Sequence, residues 1–380
     1  MDSNRPARVH LIAAARPNFM KVAPLWHALA TAPDFEPVLI HTGQHYDANM
    51  SDAIFADLKL PEPHHHLGIG SGSHAEQTAR LMLELEKVFT SQKPDLVSVV
   101  GDVNSTLAAA LVAVKMGIPI SHVEAGLRSF DNAMPEEINR ILTDRISELL
   151  LTPSADADAN LIREGLEPAR IRLVGNVMID SLLGARDKAL KLSTLADMGL
   201  SPRAYAVCTL HRASNVDDPK VLGGLLVALG HVASRLPVVF PVHPRTRKRL
   251  AELGLGATLE RTPGLRLVDP MGYLEFLSLT SQARLVFTDS GGLQEETTVL
   301  GIPCLTVREN TERPITVEVG TNLVVGTDPV RIQQAADRIL DGQEKKGRVP
   351  DMWAGRTGER IACVYEEFLG VGETSRLAAM

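Results

Sequence analysis

Short runs of aliphatic and β-branched residues recur along this chain. Each closes on a turn bearing glycine or proline and is followed by an amphipathic stretch of roughly 10 to 18 residues. A chain patterned in this way is confined to βαβ units, and therefore to parallel sheets with helices on their faces. The spacing predicts strands over 9–14, 37–41, 96–100, 118–123, 149–151 and 171–174, with helices over 20–30, 75–89, 105–115, 136–147 and 156–164. The alternation lapses over the polar stretch 191–203, which contains Ser193, Gly199 and Pro202, and restarts with strands over 204–210, 238–241, 265–268, 285–288 and 304–307. A chain of 380 residues exceeds one comfortable core. The expected fold class is α/β: two similar domains, 1–190 and 204–380, joined by a linker over 191–203, with the final helix a candidate to pack back on the first. A ligand cleft is then expected at the carboxyl ends of both sets of strands.

Composition narrows the partners. A net charge of −7 argues against nucleic acid or an anionic membrane as the main partner, but it leaves room for a small anion in a locally basic pocket. Cys208, Cys304 and Cys363 are far apart with no CxxC pair, which reads as three buried thiols of a reducing compartment. Residues 1–8 are polar, and the apolar run after them is too short for a signal peptide or a membrane span, so a cytoplasmic location is expected. The run His64–His66 resembles a metal site but lies in a Pro-rich loop, and His211 and His243 have no acid spaced to complete a metal triad; no metal is expected.

Two strand ends read as anion sites. Thr288-Asp289-Ser290-Gly291-Gly292-Leu293-Gln294-Glu295-Glu296 carries a buried strand through two glycines into a helix. Free N–H groups at a helix N-terminus, approached closely over glycine, suit a phosphate. Ser290 adds a hydroxyl, and Glu296, about one turn in, is placed to accept from ribose hydroxyls. The first βα turn holds Arg16 and Lys21 in place of a Gly-rich fingerprint. Cations are disfavoured at a helix N-terminus, which makes a pyrophosphate the better explanation. The glycines of Gly68-Ile69-Gly70-Ser71-Gly72 do not follow a strand, so that segment reads as a mobile loop over the cleft rather than a dinucleotide motif.

Acids gather at other strand ends. Asp102 follows the strand 96–100, Glu124 follows 118–123, and Glu136 and Glu137 open a helix that also carries Arg140. Glu137 alone reads best as a helix cap. Three acids brought to one cleft cost stability, and that crowding suits general acid–base chemistry. The second half adds His211-Arg212 after strand 204–210 and His243 after 238–241, positions suited to a departing diphosphate.

Taken together, these motifs resemble the non-hydrolysing UDP-N-acetylglucosamine 2-epimerases. The resemblance runs from about Val9 to Pro329. Its specific pieces are Arg16-Pro17 with Lys21, Gly101-Asp102, His122-Val123-Glu124-Ala125-Gly126-Leu127-Arg128, Pro135-Glu136-Glu137 with Asn139-Arg140, Ser290 to Glu296, and Thr311-Glu312-Arg313-Pro314. The resemblance implies a GT-B-like pair of Rossmann-like domains and a homodimer. UDP would be held by Arg16, His211, Ser290, Gly291 and Gly292, with Glu296 on the ribose and Phe276 near the uracil. Asp102, Glu124 and Glu136 would surround the sugar, with Arg140 and Lys21 nearby. Gln44, Glu136, Arg212 and His243 match positions linked to an activating second UDP-sugar. The chain departs from the usual pattern at Asn18, Met134 and Ala213, which puts that activation in doubt.

The implied reaction fits residues found without the resemblance. The C2 proton of such a sugar is not acidic, so inversion needs oxidation or loss of a neighbouring leaving group. No NAD fingerprint is present, and no cofactor is expected. Eliminating UDP across C1–C2 and adding it back on protonation of the other face gives the manno epimer. Four alternatives share parts of the pattern. Thr42-Gly43-Gln44-His45-Tyr46-Asp47-Ala48-Asn49-Met50 also resembles relatives acting on 2,3-diacetamido uronic acid nucleotides. A hydrolysing enzyme would release N-acetylmannosamine and UDP. The fold alone also permits a glycosyltransferase or a non-catalytic sugar-nucleotide sensor.

Overall fold

The computed structural model describes all residues except 1–4, 15, 44–54, 257–258, 260 and 373–380, together with the backbone alone at residues 16 and 17. The chain divides into two compact units, one made of Met1–Ser181 and Asp351–Met380 and the other of Leu182–Pro350.

In the first unit the strands are β1 (Ala7–Ala13), β2 (Phe35–His41), β3 (His65–His66), β4 (Leu96–Val100), β5 (Ile120–Val123), β6 (Leu149–Thr152) and β7 (Ile171–Leu173). The helices of this part are α1 (Arg16–Thr31), α2 (His74–Ser91), α3 (Asn104–Lys115), α4 (Pro135–Ile146), α5 (Ala155–Arg163) and α6 (Val177–Ala189). The sheet is parallel, in the order β3-β2-β1-β4-β5-β6-β7. Both faces are covered, so its strands alternate between two apolar layers. Val9, Leu11 and Ala13 of β1 join one cluster while Ile12 joins the other, and on β4 Leu96 and Val100 oppose Val97 and Val99.

The second unit repeats the plan. Its elements are α7 (Thr194–Asp197), β8 (Ala206–Thr209), α8 (Ala213–Val216), α9 (Pro219–Ala233), β9 (Val238–Pro241), α10 (Pro244–Glu252), β10 (Leu265–Val268), α11 (Tyr273–Ser281), β11 (Leu285–Thr288), α12 (Gly291–Leu300), β12 (Cys304–Thr306), α13 (Pro314–Glu318), β13 (Asn322–Val324) and α14 (Pro329–Leu340). The sheet is again parallel, ordered β10-β9-β8-β11-β12-β13. Each sheet changes winding direction once, beside β1/β4 and beside β8/β11, and ligands of such sheets bind at those points.

The last helix, α15 (Thr357–Leu369), completes the first unit. Ile361, Ala362 and Tyr365 enter the same cluster as Leu25 and Leu29 of α1. The Tyr365 hydroxyl lies 2.8 Å from Ser98 Oγ and 2.7 Å from Ser121 Oγ. A proline inside α1 prepares this docking. Pro24 has no N–H to give the Met20 carbonyl, which accepts instead from Ser181 Oγ at 2.5 Å. Gly358 packs on the Pro24 carbonyl, where a Cβ would come within 2.5 Å.

Several expectations change here. The stretch 191–203 is part of the second unit rather than a linker: it forms α7, buries Leu195 and packs Met198 and Leu200 on that unit's core, while the division falls within α6. Its three well-spaced apolar residues outweigh its Ser, Gly and Pro. Cys208 and Cys304 are buried, but Cys363 faces outward from α15. His65 and His66 form a short edge strand, with His65 Nε2 3.0 Å from Gln92 Oε1 and His64 Nδ1 accepting from the Leu39 amide at 3.1 Å. The Gly68–Gly72 segment is tied down: Arg80 donates to the Ile69 and Ser71 carbonyls, Gln77 donates to that of Gly70, and Ile69 is buried. Among the described residues no helix is long and apolar enough to cross a membrane.

Candidate active site

At the switch point of the first sheet, α1 brings Asn18 and Lys21 to the ends of β4 and β5. Asn18 Nδ2 donates to the Val100 carbonyl at 2.9 Å, fixing α1 against β4. Lys21 Nζ forms a buried ion pair with Glu124 Oε2. Glu124 is 4% exposed, and its other oxygen, Oε1, has no hydrogen-bond partner among the described residues. A buried carboxylate with one oxygen anchored and one unanchored is built to receive something.

The backbone here is strained to suit. Glu124 sits at φ +70°, a left-handed conformation that costs a non-glycine residue on the order of 1 kcal/mol. Gly101 at φ +71° passes so close that a Cβ would lie 3.3 Å from Glu124 Oε2 and 3.5 Å from Lys21 Nζ. The next residue, Asp102, is about one third exposed and pairs with Arg140, whose Nε and Nη2 both lie 2.9 Å from Asp102 Oδ2. Arg140 also pairs with Glu137. Asn139 Nδ2 holds the Asp102 carbonyl at 2.9 Å.

Asp102 and Glu124 thus stand on adjoining strand ends, each facing a cation brought by a helix, Arg140 and Lys21. Glu136 does not join them; it is exposed on the first turn of α4 and no bond ties it to either acid. Glu137 is not a helix cap. It accepts from the Ser129 and Phe130 amides at 2.8 to 3.0 Å and so closes the loop before α4. Lys21, expected on a pyrophosphate beside Arg16, serves Glu124 instead. The Arg16 side chain and Gln44 lie outside the described residues.

In the second unit, β8 and β11 end side by side. Asp289, fully buried after β11, accepts from the His211 and Arg212 amides at 3.0 and 2.9 Å, and its Oδ1 lies 2.8 Å from His211 Nδ1. Burial alone would raise the Asp289 pKa, but the His211 ring and these amides hold it below the ordinary carboxylate range. Nδ1 of His211 is thereby engaged, and its ring edge remains part-exposed. His243 caps α10, accepting from the Arg245 amide at 3.2 Å, with its ring 5.8 Å from that of His211. Desolvation, then His211, lower its pKa.

Ser290 is the N-cap of α12, and its side chain makes no capping bond. Arg313 overlies that start so closely that a Cβ on Gly291 would come within 2.4 Å of its Nη1. Arg313 Nε bonds Glu295 at 2.7 Å, and Arg212, Arg308 and Arg313 all converge on Glu312. Burial would raise the Glu312 pKa, but the three guanidiniums hold it far below the usual range. The Arg212 head is thus turned onto Glu312 and the Asp289 carbonyl, 3.0 Å away. Glu296 is buried in α12, and Phe276 is part-buried on α11 against the core. Asp289, Arg308 and the Glu312–Arg313 pair received no role from sequence, although two of the four, Glu312 and Arg313, stand in a motif quoted for the resemblance.

Comparison with known proteins follows this geometry. Residues 27–366 match the UDP-N-acetylglucosamine 2-epimerase family. A Methanococcus maripaludis UDP-N-acetylglucosamine 2-epimerase is 44% identical over 88% of this chain and 92% of its own length. A Pseudomonas aeruginosa UDP-2,3-diacetamido-2,3-dideoxy-D-glucuronate 2-epimerase is 43% identical over 93% and 98%. The crystal structure of Methanocaldococcus jannaschii UDP-GlcNAc 2-epimerase in complex with UDP-GlcNAc and UDP superposes with a TM-score of 0.88, at 42% identity, over 95% of this chain and 99% of that one.

Proposed function

The chain belongs to the UDP-N-acetylglucosamine 2-epimerase family, and from that premise we propose that it interconverts UDP-N-acetylglucosamine and UDP-N-acetylmannosamine by losing and regaining UDP. In the forward direction a carboxylate takes the C2 proton and the C2–H electrons form the C1=C2 bond. The C1–O bond breaks, and its electron pair leaves on the diphosphate. The reverse addition returns a proton to the opposite face of C2 while a diphosphate oxygen closes on C1. Inversion needs acid–base groups serving both faces, and the pair Asp102 and Glu124 on adjoining strand ends is the observation that carries this reading. Lys21 pairs with Glu124 and Arg140 with Asp102.

Ser290, Gly291, Gly292, His211 and Arg16 hold the diphosphate, joined by Arg313, and stabilise the charge that gathers there as C1–O breaks. Glu296 takes the ribose and Phe276 the uracil. The commitment of Arg212 and His243 to neighbours within their own unit speaks against their serving an activating ligand in this conformation. The protein is assigned to the cytoplasm, where sugar nucleotides are made.

The identity to a diacetamido uronate epimerase favours one rival substrate. Its extra carboxylate calls for an uncommitted cation beside the sugar, whereas Lys21 and Arg140 are each committed to an acid. Proton NMR in deuterated water decides. UDP-N-acetylmannosamine appearing with deuterium at C2 supports the proposal. Free N-acetylmannosamine and UDP would make the enzyme hydrolytic, and turnover of the uronate nucleotide alone would replace the substrate.

The chain is further assigned to a homodimer. A groove of about 450 Å³ between α2 and α4 is lined by Ala75, Ala79, Met82 and Ile138, and Leu142, one turn beyond Ile138, is 46% exposed. Apolar surface of this kind on a helix pair suits a second copy. Light scattering is expected to give twice the chain mass, and Leu142→Arg to give the chain mass. A monomeric wild type would remove the assignment.

A further inference from the structure

One buried charged pair has no part in the chemistry above. His122, in the middle of β5, and Asp144, in the last turns of α4, are both inaccessible to solvent. His122 Nδ1 lies 2.6 Å from Asp144 Oδ1, and its Nε2 lies 2.8 Å from the Gly101 carbonyl. A carbonyl only accepts, so Nε2 carries a hydrogen. The other Asp144 oxygen receives the Gly126 amide at 3.1 Å and Arg128 Nη1 at 2.7 Å. Burial would raise the Asp144 pKa, but the His122 ring and Arg128 hold it below the ordinary carboxylate range. Arg128 in turn is gripped by Glu164 through two bonds of 2.7 Å.

A buried ion pair is a poor way to stabilise a core, because an apolar pair of similar volume does as well or better. What such a pair does is fix geometry, and the groups it fixes here are specific. The Gly101 carbonyl immediately precedes Asp102. The Gly126 amide ends the turn that begins at Glu124, the residue held at φ +70°. The rest of that turn is held by Gly101 N on the Val123 carbonyl and Ala125 N on the Leu151 carbonyl, each at 3.1 Å. A Cβ on Gly126 would meet the Ala157 carbonyl at 2.5 Å, so the turn cannot shift toward α5.

We infer that His122 and Asp144 form a positioning pair, which clamps the two turns carrying Asp102 and Glu124 so that the two carboxylates are aimed at C2. This rests on the epimerase reading given above. One side of His122 sets the β4 turn and the partner of its other side sets the β5 turn, so a single pair aligns both acids. Misplacement of a reacting group by about 1 Å costs on the order of a hundredfold in rate.

The test uses the full chain and two variants, Asp144→Asn and the double replacement His122→Leu with Asp144→Leu, which keeps the site filled. Wild-type exchange of deuterium into C2 is established first; its absence would remove the epimerase reading itself, independently of this pair. Given an active wild type, each folded variant is expected to lose roughly thirty- to a hundredfold in kcat, with KM for UDP-N-acetylglucosamine within threefold. The isotope effect for C2-deuterated substrate should rise, because proton transfer becomes the slow step. UDP affinity should not move, because neither variant replaces a residue assigned to UDP. A folded variant with kcat within twofold of wild type and an unchanged isotope effect overturns the inference. So does failure of both variants to fold, which would assign the pair to core stability.

Discussion

Glu124→Gln is expected to fold, to bind UDP as the wild type does, and to lose at least about a hundredfold in turnover, with C2 deuterium exchange falling in step. General acid–base groups contribute about 10²–10⁴ in rate, and an amide of the same shape cannot take a proton. The choice of glutamine matters because Lys21 Nζ is buried against Glu124 Oε2. Removing the acceptor altogether would strand a buried ammonium, at a cost of about 3–5 kcal/mol, and confuse lost chemistry with lost fold. The glutamine Oε1 still accepts from Lys21. Asp102→Asn is the companion, expected to show a similar loss because Asp102 faces Arg140 as Glu124 faces Lys21. Exchange at the wild-type rate in either variant would take that residue out of the proton transfer. A melting temperature well below wild type would point to the ion pair rather than to the base.

The second large effect is loss of stability in mild acid, located in the first sheet. His10 is wholly buried on β1 against Phe89, and neither ring nitrogen has a hydrogen-bond partner among the described residues. Burial first, then His65, Arg8 and His64, against an opposing pull from Asp95, lower its pKa to about 3. Burial and His66 lower that of His41 to about 4. Both values lie below the unfolded value of 6.5, so the unfolded chain binds protons that the folded one refuses. Stability is therefore full above about pH 7 and falls as pH drops through 6.5 toward 4 and 3. By pH 5 each histidine removes about 2 kcal/mol, or about 4 kcal/mol together, which corresponds to a fall of about 8–16 °C in melting temperature for a unit of this size. His10→Leu should recover about half of the fall between pH 8 and pH 5. Circular-dichroism melts at the two pH values check this, and an equal fall in variant and wild type would acquit His10.

Much of the architecture was legible because parallel strands buried on both faces are plain apolar runs. The strands at 96–100, 238–241, 265–268 and 285–288 have the bounds read from the sequence. The two strands that escaped, His65–His66 and Asn322–Val324, are two- and three-residue edges too short to show a period. The candidate acids were found because each follows a strand. Their cation partners were not assigned, since nothing in the chain between Asp102 and Arg140, or between Lys21 and Glu124, encodes which pairs will meet. Glu137 was misjudged for a related reason: its place at a helix start is visible, but the Ser129 and Phe130 amides it serves come from a loop folding back. The His122–Asp144 pair was invisible in the same way, each member reading alone as an ordinary strand or helix residue.

The return of α15 to the first unit has a consequence for how the protein is made. The core containing Leu25 and Leu29 lacks Ile361, Ala362 and Tyr365 until the final helix has left the ribosome. The second unit, contiguous in the chain, can be finished before then. The usual order of co-translational folding, amino end first, is thus reversed here. For the time taken to synthesise some 170 intervening residues, about 10–35 s at 5–20 residues per second, the nascent amino-terminal half exposes an uncovered apolar face. During that interval it is a natural client for a chaperone.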